Sequence, residues 1–285
     1  MSDASLPVGS CDCHVHIYGP FDRFPADTSG RFAPRQAFPV EDLFALWDSL
    51  GIARGVIVHA SNAGLDNEVT LEALRRFPDR LRAVAVLRAD VTDRRLDELT
   101  DAGFKGVRFN LLRQDGKIVS DKGASLDDLR ALAPRLAERG WHAQLWVESG
   151  DLMAMAEEIE RLPLPLVIDH QTRTMVDKGV DYEGFRWFCE RLREGRYWCK
   201  LSGIDRNTRT GAPYHDTYPF MKALVAANPD RLVWGTDWPH VGHDPATVPR
   251  EEVLIQALHT NVPDAAVLRK IMVDNPMALY GFAPA

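Results

Sequence analysis

Residues 54–87 read RGVIVHASNAGLDNEVTLEALRRFPDRLRAVAVL. Two β-branched or apolar runs, Arg54–His59 and Leu81–Leu87, flank a segment of helical spacing, Asn67–Arg76, which together make one βαβ unit. The alternation recurs along the chain. Further strands are predicted at Gly9–His16, Lys105–Asn110, His142–Val147, Pro165–Asp169, Tyr197–Leu201 and Arg231–Thr236. Helices are predicted between them at Val40–Leu50, Arg94–Ala102, Ser125–Glu138, Leu152–Leu162, Gly184–Leu192 and Pro219–Ala227. Eight such units close a parallel sheet into an α/β barrel of the (β/α)8 TIM type. An open doubly wound sheet stops near about six strands and carries a Gly-rich turn after its first, which this chain lacks.

Two segments depart from the rhythm. Ile17–Phe38, after the first strand, is a long loop rich in Pro, Gly, Phe and Arg, and is expected to fold over one end of the barrel. Glu251–Thr260 and Asp264–Leu279 read as extra C-terminal helices that brace the outer ring. With no linker and no other repeat, residues 1–285 are expected to form a single barrel domain.

Composition narrows the function class. Hydrophobic residues at 45% and charged residues at 26% describe a globular chain with a sizeable core, not a disordered or collagen-like one. Lys plus Arg number 34 and Asp plus Glu 41, a net charge of −7 that repels a phosphate backbone, so no nucleic-acid partner is expected. No apolar run approaches the ~20 residues that span a bilayer, and Met1–Ser10 has no apolar signal core. Cys11, Cys13, Cys189 and Cys199 do not form a disulfide framework. A cytoplasmic enzyme without a membrane partner, monomeric or a small homo-oligomer, is the expectation.

In a barrel of this kind the reactive side chains sit at the C-terminal strand ends. His14 and His16 end the first strand, and a period of two turns both to one face, where two imidazoles can share a metal or polarise one oxygen. His170 falls where the sixth strand meets its loop. Asp237 follows the apolar run of the eighth, with His240 three residues later. Each alone could be a cap or a satisfied loop residue. Three histidines and one aspartate at one end of a barrel point to a single site. His142 lies at the opposite end of its strand and is expected to be structural.

These motifs resemble those of the amidohydrolase superfamily: His14-x-His16, His170, Gly235-Thr236-Asp237-Trp238-Pro239-His240 and Asp274-Asn275-Pro276 through Tyr280. Within it the chain is similar, over almost its full length, to the 2-pyrone-4,6-dicarboxylate lactonases of aromatic catabolism. That likeness includes Val58-His59-Ala60-Ser61, Gly106-Val107-Arg108-Phe109-Asn110, Ile168-Asp169-His170-Gln171-Thr172-Arg173 and Asp205-Arg206. The resemblance implies hydrolysis of a small anionic lactone derived from an aromatic compound or a sugar acid. It implies no required cofactor, and one Zn²⁺ on His14, His16, His170 and Asp237 is the alternative. A binuclear centre is not expected, since strand 4 offers Arg108 and Asn110 where the superfamily's binuclear members carry a lysine, and strand 5 offers Gln144, Trp146 and Glu148 where many members carry a histidine.

The residue types suggest roles. Asp237 would take a proton from the attacking water and return it to the leaving ring oxygen, while His14, His16 and His170 polarise the carbonyl oxygen. Arg108 and Arg206 stand where the resemblance places carboxylate-binding groups, and a guanidinium fork matches a carboxylate. Ser61, Asn110, Arg113, Trp146, Arg173 and His240 complete the expected substrate contacts. Trp146, Gln114 and Phe32 replace two hydroxyls and one positive charge of the lactonase pattern, which implies a lactone with fewer carboxylates or a bulkier apolar part. Lys200, in an apolar strand, needs a partner: an ion pair or the substrate. A mononuclear Zn-dependent decarboxylase and a non-catalytic barrel scaffold are the competing functions.

Overall fold

A computed structural model describes residues 5–30, 32–120 and 122–284. Positions 1–4, within the polar N-terminal stretch, and position 31, within the expected lid, lie outside the described residues. Eight strands run parallel in chain order in one sheet: β1 Cys11–Val15, β2 Arg54–Val58, β3 Leu81–Ala85, β4 Phe104–Asn110, β5 His142–Trp146, β6 Leu166–Ile168, β7 Tyr197–Leu201 and β8 Leu232–Trp234. The ring closes just beyond β8. Val15 bridges Trp238 in parallel, Asp237 N donates to His14 O at 2.8 Å, and His16 N donates to Trp238 O at 2.8 Å. The architecture is the (β/α)8 barrel that the alternation predicts.

The barrel strands are covered on both faces, and this is why β2 ends in the continuous apolar run Val56–Val58 and not in an alternation. Inside, Cys11, Cys13, Val56, Val58, Val84 and Val233 pack with Tyr280 and Phe282 from the chain end. Asp12 fastens the seam, accepting from Thr236 Oγ1 at 2.7 Å and from Thr236 N at 3.0 Å. The register of β1 on β2 shifts between Asp12 and Val15, and irregularities of this kind re-aim side chains. His14 lies within that shift. Opposite it, Gly235 is obligatory, because a Cβ there would lie 2.6 Å from His14 N.

Two predicted helices are divided. The Leu152–Leu162 segment forms two short helices, Ser149–Ala154 and Ala156–Ile159, which meet at Met155. The C-terminal segment passes from Ala265–Arg269 through a π turn at Lys270–Asp274 into Asn275–Tyr280, where Pro276 has no N–H to continue the ladder. The sequence reading also missed a small hairpin, Arg113–Gln114 with Lys117–Ile118, that follows β4. The loop after β1 is pinned at its base by Tyr18 and Phe38, which exchange backbone bonds of 2.9 and 2.8 Å. Its middle is tied by Asn62 Nδ2 donating to Phe32 O at 2.7 Å and by a Lys122–Asp27 ion pair. Among the described residues no helix is long and apolar enough to cross a membrane.

Candidate active site

The predicted cluster assembles at the C-terminal strand ends. Asp237 Oδ1 lies 3.4 Å from His16 Nε2, 3.6 Å from His14 Nε2 and 4.0 Å from His170 Nε2. Its other oxygen, Oδ2, accepts from Arg206 Nε at 2.6 Å. All these groups are buried or nearly so. Burial opposes the charge on Asp237, but the Arg206 guanidinium outweighs it and holds the carboxyl well below the usual carboxylate range. Asp237 is therefore an anion in the free protein.

The backbone is bent to make this arrangement. Asp237 has φ 69°, and His170, Gln171, Thr172 and Arg173 have φ of 53°, 52°, 63° and 50°. Left-handed conformations are costly for side-chain-bearing residues and persist only where neighbours enforce them. Asn207 does so for the second turn, donating from Nδ2 to His170 O at 3.0 Å.

Hydrogen bonds assign the imidazole protons. His16 Nδ1 is 2.7 Å from Val58 O, and a carbonyl only accepts, so Nδ1 carries the hydrogen. The Nε2 of a neutral His16 is then a lone pair facing the site. His14 Nδ1 lies 3.3 Å from Asp169 Oδ1 with no formed hydrogen bond, and the facing carboxylate favours the hydrogen on Nδ1. Its Nε2 is buried with no hydrogen-bond partner, and burial lowers its pKa to about 3. His170 differs, because its Nδ1 lies 2.9 Å from Ser202 Oγ, a hydroxyl that can donate or accept. Either tautomer is open to it, and burial lowers its pKa well below 6.5.

This donor set fits a divalent cation. Tetrahedral bonds of about 2.1 Å place ligand atoms about 3.4 Å apart, close to the shorter separations found around Asp237 Oδ1. The orphaned Nε2 of His14 points the same way.

Beneath the cluster lies a network that the sequence reading missed. Asp169, fully buried, accepts from Arg108 Nε at 3.0 Å and from Gln144 Nε2 at 3.1 Å while facing His14. Lys200, also fully buried, donates to Gln144 Oε1 at 2.7 Å and to Cys13 O at 2.8 Å, and stands 3.8 Å from Asp169 Oδ1. Burial pulls its ammonium down to about 8 against the pull of Asp169. Its partner is thus this network. A hint was available, since Asp169 ends a strand beside His170 and Gln144 shares the inward parity of Trp146.

Above the cluster opens a cavity of about 190 Å³. His16, His170, Asp237, Arg108, Arg206, Ser61, Asn110, Trp146 and Phe32 all line it, with Tyr18, Asn62 and Lys122, which the sequence reading did not name as contacts. The Arg108 guanidinium lies over the Trp146 ring at 5.1 Å, and Phe32 meets that ring edge-on at 5.7 Å. Arg113 and Arg173 lie elsewhere. They border an adjoining outer cavity, Arg113 on the exposed hairpin and Arg173 bonded to Asn207. His240 is buried outside the inner cavity, its Nε2 3.2 Å from Glu251 Oε1. His142 is buried at the far end against Tyr280.

Comparison with known proteins agrees with the architecture. Residues 11–282 match the amidohydrolase family. The chain is 36% identical to a 2-pyrone-4,6-dicarboxylate hydrolase of Comamonas testosteroni, over 96% of this chain and 91% of that one. It is 35% identical to a 4-sulfomuconolactone hydrolase of Hydrogenophaga intermedia, over 97% and 90%. Among solved structures, a putative 2-pyrone-4,6-dicarboxylic acid hydrolase from Pseudomonas putida is similar with a TM-score of 0.81 at 28% identity, covering 98% of this chain and 100% of that one. A barrel of this topology, the match over nearly its whole length and relatives above one-third identity make this chain a member of the amidohydrolase family.

Proposed function

We propose that the protein is a hydrolase that opens a small carboxylated lactone of the 2-pyrone-4,6-dicarboxylate or muconolactone kind, with Asp237 activating the water. The observation that carries this reading is the ionised Asp237 at the floor of the inner cavity, flanked by imidazoles and by two arginines, Arg108 and Arg206. The names of the relatives, which are lactone hydrolases, support the substrate class.

The tautomers divide the work. His16 presents a lone pair at Nε2 and accepts one hydrogen of the attacking water, while Asp237 takes the other; His14 sits beneath them against Asp237. His170, free to carry its hydrogen on Nε2, donates to the carbonyl oxygen as negative charge develops there. The ring C–O bond then breaks, and the proton on Asp237 passes to the departing oxygen, leaving a ring-opened acid. In the free protein Arg206 makes Asp237 a weak base. A substrate carboxylate that shares Arg206 draws off part of that compensation and raises the basicity of Asp237 when substrate is bound. Arg108 offers the second cationic contact, and Trp146 with Phe32 covers the planar ring.

No metal is required in this reading, because Arg206 already balances the charge of Asp237. The orphaned Nε2 of His14 favours a second reading, in which His14, His16, His170 and Asp237 hold one Zn²⁺. Such an ion would supply Lewis-acid polarisation and a more acidic water. Four free cysteines fit a reducing cytoplasm, where we place the protein as a monomer or small homo-oligomer.

The test is to follow ring opening of 2-pyrone-4,6-dicarboxylate, muconolactones and sugar lactones by absorbance, with metal content measured on the same sample. Turnover that survives chelation supports the proposal. Stoichiometric zinc with chelator-sensitive turnover selects the second reading, and absence of ring opening with every lactone overturns both.

A further inference from the structure

Asp237 has a rival for its guanidinium. Arg206 lies on the short helix Ile204–Asn207, and its Nε is 2.6 Å from Asp237 Oδ2 and 3.9 Å from Oδ2 of its neighbour Asp205. The Asp205 side chain is 1% exposed, and its Oδ1 has no hydrogen-bond partner among the described residues. A buried carboxylate oxygen without a donor is unfavourable, so any reachable N–H is drawn to it. Arg206 Nε, 3.9 Å from that carboxylate, is within reach.

His243 intervenes. Its Nε2 lies 2.7 Å from Asp205 Oδ2, the same oxygen that is nearest Arg206. The segment that carries His243 also carries Asp237, and Val241 O accepts from Arg206 Nη2 at 3.2 Å. His240, bonded to Glu251, anchors that segment to the helix Glu251–Asn261. Asp205 and His243 do not line the inner cavity, so neither touches a substrate seated there.

We propose that His243 and Asp205 form a positioning pair that keeps Arg206 on Asp237: the imidazole occupies the oxygen through which Asp205 would draw the guanidinium away. The effect on turnover rests on the roles proposed above for Asp237 and Arg206. The location of Arg206 does not.

The test uses three variants of the full-length protein. His243→Ala should lower kcat/KM by about 10- to 100-fold, the range of a displaced binding group. His243→Gln, whose amide donates from near the Nε2 position, should stay within about threefold of the parent. The double variant Asp205→Asn with His243→Ala should regain most of the loss, because a neutral amide no longer competes for Arg206. If His243 is only a strut for its loop, removing Asp205 as well deepens the defect, and that result overturns the proposal. A crystal structure of His243→Ala should show Arg206 Nε on Asp205, and an unmoved Arg206 also overturns it. Should no lactone be opened by the parent, the hydrolase assignment fails, while the crystal structures still decide where Arg206 sits.

Discussion

His16 donates its Nδ1 hydrogen to the carbonyl oxygen of Val58 across 2.7 Å, which leaves Nε2 as an acceptor facing Asp237. The bond joins the end of β1 to the end of β2, so the ring orientation is fixed by the sheet itself. The consequence can be checked by ¹⁵N NMR on protein free of ligands and metal near neutral pH. His16 should show a protonated Nδ1 and a pyridine-like Nε2. A hydrogen on Nε2 alone would remove His16 from the water-accepting role.

His170 should behave differently, as the donor to the carbonyl oxygen. Replacing it by Leu removes that donor, and kcat should fall about 10²- to 10³-fold, the usual loss for one oxyanion donor. Gln, which keeps an N–H near the Nε2 position, should recover part of the rate. Equal losses for the two variants would count against donation by His170.

For Asp237→Asn the expected loss in kcat is about 10²- to 10⁴-fold, the range of a general base. The fold should survive, since an amide oxygen still accepts from Arg206 and the strand closure through Asp237 N is unaffected. Circular dichroism and a thermal melt verify the second point. A variant that keeps most of its kcat sinks the proposed role.

Buried histidines make stability depend on pH. His14 and His142 have pKa values lowered to about 3, His59 to about 4, and His170 well below its ordinary value, each chiefly by burial. Between about pH 4.5 and 6 these four are neutral when folded and charged when unfolded. Asp12 acts in the opposite sense, because burial raises it to about 6 and the folded form holds its proton. The net is 4 − 1 = 3 more protons on the unfolded chain. The contribution of these groups is therefore full only above about pH 7.5, a unit above the ordinary imidazole value, and is lost as pH falls, by about 4 kcal/mol per pH unit near pH 5. Denaturant titrations at several pH values should show this slope, and a flat profile over that range would contradict it.

Much of this was legible in the sequence for a physical reason. Strands buried on both faces are largely β-branched or apolar, so the runs Val56–Val58 and Ala83–Ala85 stand out against amphipathic helices. The strand-end rule then brings His14, His16, His170 and Asp237 to one face without any knowledge of distances. What was not legible is pairing between residues far apart in the chain. Asp169 meets Arg108 across 61 positions, and Lys200 meets Gln144 across 56. Sequence set Arg108 inside a barrel strand but kept Arg113 among the substrate contacts, because the hairpin that carries Arg113 to the exterior was unforeseen. His240 fell just past the site because the left-handed turn at Asp237 sends the chain toward Glu251.

Lys200 provides the sharpest test of the network under the site. Replacing it by Met leaves a side chain of similar length that packs but cannot donate. Gln144 Oε1 and Cys13 O then lose their donor, and Asp169 loses a nearby cation. Removal of one member of a buried charged network should destabilise the protein by about 3–5 kcal/mol. Lys200 also stands 3.5 Å from His14 Nδ1, and its charge helps to keep that imidazole neutral. Without it His14 should protonate more readily and, 3.6 Å from Asp237, weaken that carboxylate as a base, so kcat should fall more at pH 6 than at pH 8. Equilibrium unfolding in urea reads the first effect and a pH series of kcat the second. A folded variant with unchanged stability would show that Lys200 is not part of the network's support, and a pH-independent loss would show that it does not act through His14.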